Sequence, residues 1–332
     1  MNFIKKNIHG LCLCFIIGIA AWLLGKQFPI VGGPVFAILI GLFVAFMPRK
    51  DYFESGIKFT SKKVLQYAIV LLGFGMNLFE IFKVGSQSLL IIISTISTSL
   101  IVSFLISKLM KIPTNVSILV GVGSSICGGS AIAATAPVID APDEDIAKSI
   151  SVIFLFNVIA AFLFPVLGTY LGFNDIGFGM WAGTAINDTS SVVAAGQTWA
   201  SSHGSDVALN YATIVKLTRT LAIIPITLVL ALYRSKKNAS TSVKLTKIFP
   251  WFVLFFLLTA VISTVFNMPS SVTKPLTECG KFFITMAMGA IGLNTNLVKL
   301  IKTGGKPIIM GLCCWISIAV VSLLMQHILG IW

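Results

Sequence analysis

The sequence predicts an all-α polytopic membrane protein with 9–11 transmembrane segments, built from inverted repeats with two broken or re-entrant core segments. Three observations carry that expectation. Of 332 residues, 56% are hydrophobic and only 11% charged, with a mean hydropathy of +0.97. A soluble domain carries about 25% charged residues, and a soluble core of this length could not hide so much apolar surface. The apolar residues also fall into runs near the ~20 residues that a spanning helix needs. Finally, two of those runs are interrupted by glycine, serine and charge, and their sequences recur elsewhere in the chain.

In chain order the apolar segments are 8–25, 30–47, 63–82, 86–107, 114–139, 146–170, 176–200, 207–233, 248–267, 280–298 and 306–330. The first follows Lys5 and Lys6 as a signal peptide would. No small-x-small cleavage site comes after it, and Gly25-Lys26 leads into more membrane-type sequence, so it reads as a retained helix. Two polar connections, Pro48 to Lys63 and Arg234 to Lys247, are too short to be domains. Residues 1–332 therefore form a single integral membrane domain. The six cysteines show neither CxxC pairing nor metal-type spacing and read as small packing residues.

Net charge is +13, which in a soluble protein would suggest nucleic acid. Here the cations lie between apolar runs and report topology. With the N-terminus inside, inner loops collect Lys5, Lys6, Arg49, Lys50, Lys58, Lys62, Lys63, Lys108, Lys111, Arg234, Lys236, Lys237, Lys244, Lys247, Lys299, Lys302 and Lys306. Outer loops hold only Lys26, Lys83, Lys274 and Lys281. Seventeen against four predicts a cytoplasmic N-terminus.

Repeats bear on how the chain crosses. Gly75-Met76-Asn77-Leu78, followed by Ile81, Lys83 and Gly85, recurs as Gly292-Leu293-Asn294, followed after an insertion by Leu297, Leu300, Lys302 and Gly304. At an offset of 60, Gly123-Ser124-Ser125-Ile126 matches Gly183-Thr184-Ala185-Ile186, Ser130-Ala131-Ile132 matches Ser190-Ser191-Val192, and Pro165 matches Pro225. If every segment crossed, the first pair would be inverted and the second parallel. If 114–139 and 176–200 each enter and leave on one side, every pair is inverted, as in duplicated transporters. Nine full crossings plus two re-entrant or broken segments is therefore the expectation. It puts Asp143 inside and Asp175 outside.

The same two segments carry the candidate chemistry. Gly121 to Ser130 holds four glycines and three serines, a poor continuous helix, since each interior Gly costs about 1 kcal/mol relative to Ala. A break there would free backbone groups to line a cavity, and a half-helix starting near Ser130 would aim its positive end at an anion. The alternative is close helix packing through small residues. Asn187-Asp188-Thr189-Ser190-Ser191 puts a carboxylate deep in a segment, where it also reads as a helix N-cap. Lys216 and Arg219, three apart on one helix face, sit well inside an apolar run. They would leave positive charge for an anion, or form a structural ion pair with Asp188. The binding residues expected are Ser124, Ser125, Cys127, Gly128, Gly129, Ser130, Asn187, Asp188, Thr189, Ser190, Lys216 and Arg219. Asn157 is a further polar position, and Asn77 and Asn294 read equally as helix C-caps beside glycine.

An enzyme would need a nucleophile with its base, or a metal set. The histidines, His9, His203 and His327, lie at segment ends or in loops, and no HExxH, Walker or dinucleotide-binding pattern occurs. The chain is expected not to be an enzyme and to use no cofactor or metal. Its expected partners are a small-molecule or ion substrate and the lipid bilayer, not nucleic acid, with a homo-oligomer left open.

The stretches Ser125 to Ala134, Ala185 to Gly196 and Val215 to Arg219, with Leu72 to Gly75 and Ala290 to Asn294, resemble the YeiH-type sulfate exporter family of bacterial inner-membrane proteins over nearly the whole chain. That family is similar to the wider cation–proton antiporter and anion transporter group, with inverted repeats and broken core helices. The resemblance implies membrane transport of sulfate or a related organosulfur anion. Family members often have His where this chain has Asn187, so a titratable group is absent here. The function expected is a secondary transporter moving a small solute, an anion such as sulfate or an organosulfonate, by alternating access. The alternative is a cation/proton antiporter with Asp188 as its ion-binding carboxylate.

Overall fold

A computed structural model describes residues 2–29, 31–47, 49–235, 251–295 and 305–332, and these are helical with no strand among them. Six helical stretches are long and apolar enough to cross a bilayer: Asn7–Gln27, Leu78–Met110, Glu144–Tyr170, Val207–Leu230, Ser270–Asn294 and Gly305–Ile328. Shorter apolar helices stand beside them at Gly33–Ala45 and Trp251–Val265. Lys236, Lys237, Lys244, Lys247, Lys299 and Lys302 lie outside the described residues, as do Leu297, Leu300 and Gly304 of the repeat.

One group of helices packs through glycine. It comprises α1 (Asn2–Gln27), α2 (Gly33–Ala45), α3 (Glu54–Phe59), α4 (Leu65–Leu72), α13 (Trp251–Val265) and α14 (Ser270–Asn294). A Cβ on Gly41 would stand 2.4 Å from the Gly289 carbonyl, and one on Gly292 the same distance from the Ile38 carbonyl. The α2 and α14 backbones therefore approach as closely as small residues allow. Gly10 and Gly56 do the same for α1 and α3. The Pro48–Lys63 connection thus folds differently from its sequence expectation. Much of it is helix, running on through a π turn at Thr60–Val64 into α4, because Gly56 and Ile57 bury against α1.

The remaining helices form a second group: α5 (Leu78–Met110), α6 (Thr114–Ser125), α7 (Gly129–Thr135), α8 (Asp143–Tyr170), α9 (Asp175–Ala185), α10 (Thr189–His203), α11 (Val207–Thr220), α12 (Ile223–Ser235) and α15 (Gly305–Ile328). Asn77 starts α5, its side chain accepting from the Phe79 amide, so it is an N-cap and not the C-cap its neighbouring glycine suggested. The apolar run 207–233 is likewise divided, between Thr220 and Ile223. Pro225 explains this, since it lacks an N–H and its ring crowds the carbonyl four residues back.

The long helices expose apolar side chains such as Ile16, Phe79, Ile93, Phe104 and Leu109 outward. That is the pattern of a surface solvated by lipid. The half-helices α9 and α10 are different: every residue from Gly177 to Ala185 and from Thr189 to Ala200 is buried.

Candidate functional site

Both glycine- and cap-rich segments are broken, and at corresponding places. The first half-helix ends at Ser125 and the next starts at Gly129; the second pair ends at Ala185 and restarts at Thr189. These are the offset-60 positions of the sequence match. The residues between them are Ile126-Cys127-Gly128 and Ile186-Asn187-Asp188.

Each segment folds back instead of continuing. Ile132 of α7 lies against Gly123 of α6, where a Cβ would meet it at 3.0 Å. In one straight rod these nine residues would span about 13 Å. In the second segment the indole of Trp199, near the end of α10, donates to Asp175 at the start of α9 (2.8 Å) and stacks on Phe178 (4.0 Å). Gly179 and Gly183 of α9 rise in step with Ala208 to Val215 of α11. Across α10 the order reverses, with Gly196 against Leu209 and Asn187 against Lys216. The helix α8, 28 residues and so about 42 Å long, separates the two hairpins, which therefore come in from its opposite ends.

The tips meet. Gly128 has φ +68°, which a side chain strains to adopt, and a Cβ there would stand 3.2 Å from the Asp188 Cβ. Asp188 caps α10, accepting from the Ser190 amide (3.1 Å) and the Ser190 hydroxyl. Its own amide donates to Asn157 Oδ1 of α8 (3.1 Å).

A break leaves carbonyls at the end of each first half-helix without helical partners, and at this depth no lipid group can meet them. Lys216 and Arg219, both fully buried, meet them. Lys216 Nζ donates to the carbonyls of Ile126 (2.7 Å), Ile186 (3.0 Å) and Asn187 (2.6 Å). Those are all three donors of an ammonium. Arg219 donates through Nε to the Ser125 carbonyl (2.6 Å), through Nη1 to Thr184 and through Nη2 to Ser124. Each cation thus ties α6 to α9. The geometry is favourable twice over, since a helix C-terminus carries partial negative charge and charge-assisted hydrogen bonds are the strong ones.

This departs from one of the two expectations for the pair, the structural ion pair with Asp188. No cation comes within 4 Å of Asp188 among the described residues, so Lys216 and Arg219 form no ion pair with it. Their partners are backbone carbonyls, which no side-chain pattern announces. The remaining candidates divide. Asn187 is 1% exposed, and neither its Oδ1 nor its Nδ2 has a partner among the described residues; the buried Ser124 hydroxyl has none either. The Ser125 hydroxyl turns back to the Val122 carbonyl (3.1 Å). Cys127 packs with Val122, Ala131 and Ile223, and Thr189 is buried. Gly129 is half-buried and Ser130 exposed on the outer face of α7. Asn294, the last residue of α14, reaches Ser61 (3.4 Å), away from the tips. The sequence reading did not single out Gln197, Thr198 and Thr285, which join α10 to the first helix group: Gln197 Nε2 donates to Thr285 Oγ1 (3.3 Å), and Thr198 lies against Gly32.

A family model described as conserved hypothetical protein 698 matches residues 9–311. Among curated proteins, the chain is 56% identical over 333 residues to a UPF0324 membrane protein of Streptococcus agalactiae, with 99% of each chain covered. It is 55% identical over 345 residues to one of Fusobacterium nucleatum, covering 99% of this chain and all of that one. A third, from Streptococcus mutans, is 56% identical over 343 residues with both chains fully covered.

Proposed function

The chain belongs to the UPF0324 family of membrane proteins, and on that premise we propose that it is a secondary transporter carrying a small anion, such as sulfate or an organosulfonate, across the bacterial plasma membrane. One observation carries the reading. Two half-helix pairs break where their tips touch, and beside the clamped carbonyls the Asn187 amide and Ser124 hydroxyl are buried without partners among the described residues. An unmet buried polar group costs about 1–3 kcal/mol, so such groups call for an occupant. With Asp188 carrying one negative charge against two positive ones, the surroundings favour an anion.

The flanking contacts fit alternating access. On the second hairpin, α10 is sealed to α2 and α14 through Thr198 at Gly32 and Gln197 at Thr285. On the first, Ser130 and Ala133 of α7 are exposed. The half-helices would move against the glycine-packed group, closing one side as the other opens. The N-terminus is assigned to the cytoplasm from the lysine and arginine distribution. The chain is assigned no enzymatic activity, cofactor or nucleic-acid partner.

The test is uptake of labelled sulfate and small sulfonates by proteoliposomes holding the full chain. Asn187→Ala and Ser124→Ala should lower flux without lowering thermal stability, since neither side-chain polar group has a partner among the described residues. Absence of flux, or flux indifferent to both changes, contradicts the proposal. A second reading is a cation/proton antiporter with Asp188 as the ion-binding carboxylate; it is favoured by the absence of any cation within 4 Å of Asp188 among the described residues. Obligatory acidification of the vesicle lumen, abolished by Asp188→Asn, would select it.

A further inference from the structure

A cavity of about 300 Å³ lies between α1, α2, α10 and α14, walled by Trp22, Lys26, Gln197, Asp206, Glu278 and Lys281. None of the tip residues lines it. Its two cations and two carboxylates balance, so nothing in its net charge selects a bare anion. Lys281 is already engaged: its ammonium donates to Asp206 (2.6 Å) and to Glu278 (2.9 Å). Each carboxylate keeps acceptor capacity beyond that one bond. Lys26 stands over the Trp22 ring, 5.9 Å from its centroid, with no carboxylate within 4 Å among the described residues.

Gln197 adds an acceptor whose orientation is fixed. The Thr285 hydroxyl gives its proton to the Lys281 carbonyl (3.2 Å), so toward Gln197 it can only accept. The amide therefore turns Nε2 to Thr285 (3.3 Å) and leaves Oε1 without a donor among the described residues, in a side chain that is 4% exposed. A sulfate ion brings only acceptors to such a site. An ammonium brings three donors, and Lys26 remains for an acid.

We propose that this cavity binds a small zwitterion, its ammonium donating to Gln197 Oε1 and to the Asp206 and Glu278 carboxylates while its acid group meets Lys26. This deepens the transporter reading and rests on it. Gln197 lies on α10 nine residues, or about 13 Å, beyond Asp188, so a bound molecule waits one half-helix away from the tips. The acid can be a carboxylate or a sulfonate; the recognition chemistry is shared.

Isothermal titration of the detergent-solubilised full chain tests it. β-Alanine and 2-aminoethanesulfonate supply the two zwitterions. 2-Hydroxyethanesulfonate has the acid without the ammonium, ethylammonium the reverse, and sulfate neither an ammonium nor a carbon chain. At least one zwitterion should bind about tenfold or more tightly than all three controls, a difference of ~1.4 kcal/mol. Lys26→Gln, at the rim, and Gln197→Met, which keeps the volume, should each weaken that binding by about tenfold. Controls binding as tightly as the zwitterions, no binding by either zwitterion, or affinity untouched by Lys26→Gln would overturn the proposal. Zwitterion binding without flux of any solute would sink the transporter reading and leave this site standing. Sulfate flux without zwitterion binding would do the opposite.

Discussion

The first hairpin caps its returning half-helix with Gly128, which has no side chain to offer, and keeps one face of α7 exposed at Ser130 and Ala133. The second caps its return with Asp188, and α10 is buried along its length to Ala200. The breaks fall at matching positions, and Arg219 and Lys216 hold carbonyls from both. What differs is how each returning half is held: α7 by packing on α8 and α12, α10 by a charged cap, by Asn157 and by the Trp199–Asp175 bond. The lesson is that a helix can be broken inside a membrane when cations meet its carbonyl end, while the restart can be handled by conformation alone or by a side chain.

That comparison can be broken first at its shared element. Arg219→Met removes three hydrogen bonds to both hairpins and should cost about 3 kcal/mol or more, because it leaves buried carbonyls unmet. Fluorescence-detected size-exclusion after heating should show the largest loss of any single change here. A loss no greater than that of Trp199→Phe would mean the clamp is not what holds the halves together.

The two caps come next. Gly128→Ala must place a Cβ at φ +68° against Asp188 and should cost about 2 kcal/mol. Asp188→Ala should cost about 1 kcal/mol, with Asp188→Asn nearly neutral, since either side chain can cap. Equal tolerance of alanine at both positions would erase the distinction drawn between the hairpins. Trp199→Phe, which keeps the stacking on Phe178 and loses only the bond to Asp175, should cost about 0.5–1.5 kcal/mol by the same melting assay, well below Arg219→Met.

Much of this was legible before any coordinates. Clustered glycine and serine at Gly121 to Ser130, and an Asp-Thr-Ser-Ser cap in mid-segment, mark both breaks because a continuous helix cannot use them well. The burial of Lys216 and Arg219 was legible from the apolar run around them. Their partners were not, since a carbonyl belongs to every residue and only the fold decides which are orphaned. The joint of α10 to α14 through Gln197 and Thr285 was hidden for a related reason: it links residues 88 apart by single polar atoms that resemble ordinary helix interior. The start of α3 in a stretch read as a loop reflects glycine packing, which composition does not reveal.

The claim on which the rest depends is that the hairpins enter from opposite faces. In a variant whose six native cysteines are replaced, single cysteines at Asp143 and Asp175 can be tested with a membrane-impermeant thiol reagent in intact cells and in inverted vesicles. The account predicts labelling of position 143 only from the cytoplasmic side and of position 175 only from the outside. The reverse pattern, or both positions labelled from one side, would contradict it.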